Sequence, residues 1–374
     1  MKRYTLALGL TTISLATPSF AATSSVTLYG IVDAGYQSFR IKGEGSSQDL
    51  VSGGESGSRW GLRGSEDLGD GLKANYQLES GFDSANGQST QNNRLFGRAS
   101  WVGLSGSWGE LRAGRQTLAA TDYTGVYSPF GTSFKLAGGG SSVNSNTTPR
   151  ADNSLKYISP AFNNLQAAVS YAFDGHLAQN TDGRTNPYFN NGSDRILSVV
   201  TRYRASTWQL VSYYQAAFLQ DNTYSSGVHQ DVRPREYGVG GTVNVGPVTL
   251  HGAFAQHRDA YINGILPNNT GQTAVFRGGL VNGYTLGVSA KLGTGTVLAQ
   301  YQLSDPNRGV RRNDQPGHTQ RIYSLGYSYP LSKRTNLYTY VSYLDGAWFD
   351  SATTGVSARD WSATQFLIGM RHSF

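Results

Sequence analysis

The stretch Leu72-Lys-Ala-Asn-Tyr-Gln-Leu-Glu-Ser80 decides the fold. Leu72, Ala74, Tyr76 and Leu78 share one parity, and Lys73, Asn75, Gln77 and Glu79 share the other. Successive residues of a strand face opposite sides of a sheet, so this strand has one apolar face and one charged face. Val26, Leu28, Val32 and Ala34 repeat the pattern against Thr27, Tyr29, Asp33 and Gln37. Trp60 and Leu62 repeat it against Arg59, Arg63 and Ser65.

Working outward, about sixteen such segments follow one another. They lie near 25–38, 57–66, 72–83, 94–104, 110–116, 153–159, 164–173, 195–204, 208–219, 235–245, 248–260, 279–291, 296–304, 319–329, 336–345 and 363–374. The connections alternate in length. Leu68-Gly-Asp-Gly, Gly246-Pro247 and Gly293-Thr-Gly are turn-like, whereas 39–56, 84–93, 117–152, 174–194, 220–234, 261–278, 305–318 and 346–362 are mostly long and polar. An up-and-down meander whose two ends face different surroundings has this asymmetry. A soluble sandwich shares the alternation, but a chain of this length would then divide into domains, and no linker or composition break divides this one. Lys, Arg, Glu and Gln at mid-strand also suit a wet lumen. The expectation is all-β: a 16-stranded antiparallel transmembrane β-barrel forming a single domain, 22–374, with both ends on the short-turn side.

The beginning of the chain reads as a leader. Met1-Lys2-Arg3 precedes an apolar run from Tyr4 to Ala16, and Ser19 and Ala21 suit the cleavage positions, so 1–21 is expected to be removed. A cut after Ala22 is the alternative. The formal charge of +7 includes Lys2 and Arg3 of that leader. The remaining excess is scattered, and no Lys/Arg block marks nucleic-acid binding. The absence of cysteine excludes disulfides, thiolate metal sites and cysteine nucleophiles. No phosphate loop or nucleophile elbow occurs, and the six histidines lack metal-ligand spacing. No cofactor, metal or enzymatic activity is expected.

The segment Gln116–Asp152 is the longest that does not read as regular structure. A connection of that length inside a compact domain is functional or disordered. Its glycines, Gly125, Gly131 and Gly138-Gly-Gly, permit tight turns against a wall. The last strand, Gln365-Phe-Leu-Ile-Gly-Met-Arg-His-Ser-Phe, puts Phe366, Ile368, Met370, His372 and Phe374 on the outer parity and Arg371 on the inner one.

In order and spacing, several stretches resemble the general porins of Gram-negative β-proteobacteria. They are Ser25-Val-Thr-Leu-Tyr-Gly-Ile-Val-Asp-Ala-Gly, Ser58-Arg-Trp-Gly-Leu-Arg-Gly-Ser-Glu-Asp-Leu-Gly, Gly71-Leu-Lys-Ala, Gln77-Leu-Glu-Ser-Gly-Phe, Leu95-Phe-Gly-Arg, Trp101-Val-Gly-Leu, Gly114-Arg-Gln, Asn153-Ser-Leu-Lys-Tyr and the terminal Arg371-His-Ser-Phe. The resemblance implies a homotrimer in the outer membrane, in contact with lipid and lipopolysaccharide. The third external loop, about 117–152, would fold into the lumen. Periplasmic chaperones and the barrel-assembly machinery would engage the C-terminal strand through Phe374.

Where the family's loop often carries Pro-Glu-Phe-Gly-Gly, this chain has Ser128-Pro129-Phe130-Gly131, without the glutamate. The family's basic ladder falls on Arg59, Arg98 and Arg150. Arg63, Arg115, Lys135 and Lys156 are further basic candidates, and Asp33, Glu79 and Asp122 are the acidic lining. The expected function is passive diffusion of small ions and hydrophilic solutes, weakly anion-selective at a basic constriction. The alternatives are a substrate-selective channel for organic acids or sugars, and a barrel serving membrane integrity or surface attachment.

Overall fold

The computed structural model describes residues 24–132, 135–139, 150–173, 195–218, 233–259, 278–307, 315–347, 357 and 359–374, with the pairs 261–262, 274–275 and 311–312. The expected leader and most of the long polar loops lie outside these residues.

Alternating side chains let each segment hydrogen-bond to both neighbours while sorting its two faces. The result is a closed antiparallel barrel. Its strands, in chain order, are β1 (Ser24–Ile41), β2 in two halves (Gly45–Ser52 and Arg59–Gly69), β3 (Leu72–Gly81), β4 (Ala99–Gly106), β5 (Gly109–Thr117), β6 (Arg150–Ile158), β7 (Leu165–Ala172) and β8 (Arg195–Arg204). The second half of the wall is β9 (Trp208–Phe218), β10 (Arg235–Val245), β11 (Val248–Arg258), β12 (Leu280–Leu292), β13 (Gly295–Pro306), β14 (Gln320–Pro330), β15 (Thr335–Asp345) and β16 (Ser362–Ser373). Each strand pairs with the next, and β1 closes the ring on β16 from Ile31↔Ser373 to Ile41↔Ala363. Gly30 and Phe374 extend that seam by exchanging two backbone hydrogen bonds of 3.1 Å.

The two halves of β2 lie on one edge of β1, Gly45–Ser52 against its far end and Arg59–Gly69 against its start, so they count as one barrel strand. This corrects the reading of 39–56 as a long loop. Only 42–44 connect β1 to β2, and the irregular part is the detour 53–58. Asp33 holds that detour: its Oδ2 accepts the N–H groups of Glu55 at 3.0 Å and Ser56 at 2.6 Å.

The sorting of faces is the reverse of a soluble protein's. Leu28 (60% exposed), Leu286 (65%) and Met370 (50%) stand on the outer surface, while Gln302 and Ser198 are fully buried inside. An apolar outer band with a polar interior belongs in lipid. Rings gather beside the short turns, with Trp108 stacked on Tyr157 and Tyr203 on Trp208. The apolar core is not between layers. It lies between the inner wall and the segment that follows β5.

Candidate functional site: a loop-narrowed channel

That segment begins with α1 (Ala119–Tyr123) and a 3-10 turn, Thr124–Tyr127. The first N–H groups of a helix have no partner within it. Here the inner wall supplies them: Ala119 N–H donates to Ser170 Oγ at 2.9 Å, and Ala120 N–H to Ser198 Oγ at 3.0 Å. Leu118, Ala119 and Ala120 are small or apolar enough to press flat, and Tyr123 and Tyr127 pack on Val200, Val211, Tyr213 and Ala255. Beneath the helix, Lys156 Nζ donates to Asp122 Oδ2 at 2.6 Å and to the Thr117 carbonyl at 2.9 Å.

The loop then follows the wall. Tyr127 OH donates to the Val211 carbonyl on β9 at 3.0 Å, and the Val126 carbonyl lies 2.9 Å from His251 Nδ1 on β11. Ser128 bonds Gln300 on β13, and Gly131, at φ +64, turns the chain in a conformation that a side chain would strain. Leu136 N–H donates to Gln365 Oε1 on β16 at 3.2 Å, while Gln302 Nε2 donates to the Leu136 carbonyl at 3.1 Å. The tip Pro129-Phe130 rests on two wall glycines: a Cβ at Gly287 would lie 2.5 Å from Pro129 Cδ, and one at Gly326 would lie 2.8 Å from Phe130 Cε1. Gly287→Val is therefore expected to push the tip into the lumen at a cost of about 1–3 kcal/mol. Lower single-channel conductance together with a lower thermal midpoint would bear this out; an unchanged channel would show that the tip is not seated there.

Facing the loop's base is a cavity of about 470 Å³ lined by Arg59, Arg98, Arg112, Arg150 and Arg202, with Glu79 and Asp122 as its carboxylates. Each arginine arrives by a different route. Arg59 opens the second half of β2, with its Nε donating to the Gly57 carbonyl at 3.0 Å. Arg98 precedes β4 rather than lying within it. Its Nε meets Glu79 Oε1 at 2.6 Å, and its carbonyl accepts Arg150 Nε at 3.1 Å. Arg150 is the first residue of β6, opposite Thr117. Arg112 and Arg202 were not among the sequence candidates. Arg112 shares the inner parity of Glu110, a signal available in the sequence. Arg202 alternates with Ile196, Ser198 and Val200, whose apolar members conceal an inner face that the loop covers.

Both carboxylates are engaged. Glu79 accepts from Arg98 and from Tyr29 OH, and Asp122 from Lys156. Other candidates lie elsewhere. Asp33 is fully buried and occupied by the detour and by Tyr338, so its carboxylate does not line the lumen. Lys156, 1% exposed, anchors the loop from below and does not line the cavity. Arg115 is buried against Asp152, which it shares with Arg94, each at 2.7 Å. Arg63 is exposed to the lumen, its guanidinium 5.1 Å over the Tyr29 ring. Lys135 is the loop's own cation. Its ammonium is held below the ordinary lysine value by desolvation, against the pull of Asp33 and Asp83. Phe374 lies on the outer surface at the closing seam, 43% exposed.

Comparison with known proteins agrees with this architecture. The Gram-negative porin family matches residues 7–347. An outer membrane porin protein of Bordetella pertussis is 36% identical, covering 94% of this chain and 95% of its own length. Outer membrane porin protein 32 of Delftia acidovorans is 31% identical over all of both chains. Among solved structures, an anion-selective porin from Comamonas acidovorans superimposes with a TM-score of 0.71 at 27% identity, covering 94% of this chain and 100% of that one. A sixteen-stranded barrel, apolar outside and narrowed by a loop held against its inner wall, thus joins whole-length similarity to named porins: the chain belongs to the Gram-negative porin family and forms a channel in the outer membrane.

Proposed function

We propose that this channel conducts small hydrophilic solutes passively and prefers anions, with Arg59, Arg98, Arg112, Arg150 and Arg202 as its selectivity residues. The observation that carries the proposal is the charge of the narrow section: five arginines face two carboxylates, each already held by a cation. Charges across a confined gap act more strongly than in bulk water, where a pair 4 Å apart is worth about 1 kcal/mol. The missing loop glutamate works in the same direction, because Ser128-Pro-Phe-Gly adds no acid opposite the arginines. That a relative of 27% identity is named an anion-selective porin supports the sign. The proposal includes assembly as a homotrimer among lipopolysaccharide molecules, with Phe374 presented to the assembly machinery.

Reversal potentials across planar bilayers in a KCl gradient test it. A chloride preference of roughly fivefold is expected, corresponding to about 1 kcal/mol between the two ions. A potassium preference would falsify the selectivity.

A further inference from the structure

Toward the short turns from the arginine cavity lies a second recess of about 470 Å³, bounded by Arg63, Asn75, Glu110 and neighbouring residues. Gln77, Trp101 and Arg112 line both recesses, so they stand where one opens into the other. Here the wall is built differently from a simple ring of charge. The Arg112 guanidinium lies 4.3 Å over the Trp101 ring, and Glu110 Oε2 holds its Nη2 at 2.7 Å. Trp101 Nε1 donates to Gln77 Oε1 at 3.1 Å, and Gln77 Nε2 donates to Tyr29 OH at 2.6 Å. Tyr29 OH in turn donates to Glu79 at 2.8 Å, the carboxylate that holds Arg98. A continuous run of hydrogen bonds therefore fixes an indole and a stacked guanidinium to the same network as the narrow section.

From this geometry we propose that the Trp101–Arg112 pair is a binding subsite for planar aromatic carboxylates leaving or entering the constriction. The proposal rests on the anion-conducting reading above. Drawing in small inorganic anions takes only positive charge, which any lysine would supply. A fixed aromatic face among guanidinium groups adds something that only a planar anion uses: a stacking surface for its ring, within reach of N–H donors for its carboxylate. Space borders the pair on both sides, so a ring can stack there while its carboxylate points toward Arg59 and Arg98 above or Arg63 below. Arg63 over Tyr29 repeats the arrangement one step further along the wall.

The experiment compares benzoate with cyclohexanecarboxylate, equal in charge and near-equal in bulk, as blockers of chloride current through the reconstituted full-length protein. In the wild type, half-block is expected at about fivefold lower benzoate concentration, the factor that one aromatic stacking contact supplies. Trp101→Leu is expected to bring the two blockers within about twofold of each other. Trp101→Phe, which keeps an aromatic face, is expected to retain most of the difference. Because the ratio of two blockers is read within each channel, a change in conductance or folding yield does not disturb it. Equal block in the wild type, or a benzoate preference that survives in Trp101→Leu, overturns the subsite. The KCl reversal potential of the same channels reports separately on anion selectivity: a potassium preference with the benzoate preference intact sinks the selectivity and leaves the subsite standing.

Discussion

Replacing Arg59, Arg98 and Arg150 together by alanine is expected to bring the chloride preference from roughly fivefold to near parity. The three side chains supply most of the positive charge in the cavity, and their removal also frees Glu79 from the partner that neutralises it. What remains is Arg112, already held by Glu110, and Arg202, donating to Gln166 at 2.7 Å, against Glu79 and the Lys156-paired Asp122. The effect is to be read in dilute KCl. At about 0.1 M salt the screening length is on the order of 10 Å, and it shrinks to about 3 Å at 1 M, where fixed charge is largely hidden. The reversal potential is therefore expected to separate wild type from variant most clearly at low salt. A triple variant as anion-selective as its parent would remove these arginines from the role assigned to them.

The second large effect concerns the loop. Deleting residues 125–145 is expected to raise single-channel conductance roughly twofold, because a sixteen-stranded barrel is wide enough to hold an open aqueous channel without it. The same deletion takes away Tyr127 and Phe130, both almost wholly buried, and uncovers the apolar wall formed by Val200, Val211, Tyr213 and Ala255. Loss of a buried aromatic side chain costs about 3–5 kcal/mol, so thermal denaturation is expected at a distinctly lower temperature even though the backbone ladder persists. The two readouts answer different questions: conductance reports whether the loop sets the narrowest section, and the melting temperature reports how far it serves as the barrel's core. Conductance that stays at the wild-type value would place the limiting section elsewhere.

Strand alternation was legible wherever one face meets lipid and the other meets water, as in Leu72–Ser80 and in the last strand. It disappeared where that contrast is absent. Gly45–Ser52 is a wall strand made of Gly, Ser, Gln and Asp with Leu50 and Val51 side by side, so it carries no apolar parity and reads as loop. On β8, Ile196 and Val200 point inward because the loop covers them, and Arg202 was lost among them. Arg98 falls in a stretch that alternates like a strand, yet it lies just before β4, its N–H donating to the Glu79 carbonyl at 3.1 Å. Arg115 follows Gly114 at an irregularity in the β5–β6 pairing, and its partner Asp152 lies across that pairing. Parity is a local rule, and the bulges and detours that shape the constriction are the places where it fails. Arg59, Arg98 and Arg150 came from similarity to a family; Arg112 was available from parity on β5 alone.

The course of the loop also has a mechanical consequence. From Ala119 to Leu136 it is fastened in turn to β7, β8, β9, β11, β13 and β16, a span of more than half the circumference. In a tube of strands alone, each strand is bonded only to its two neighbours, and nothing joins opposite sides of the ring. A strap bonded to widely separated points of the ring supplies that link, as an internal brace does in a hoop. The loop thus ties widely separated strands of the ring to one another through the lumen, so a change in the shape of the bore has to stretch or break those bonds.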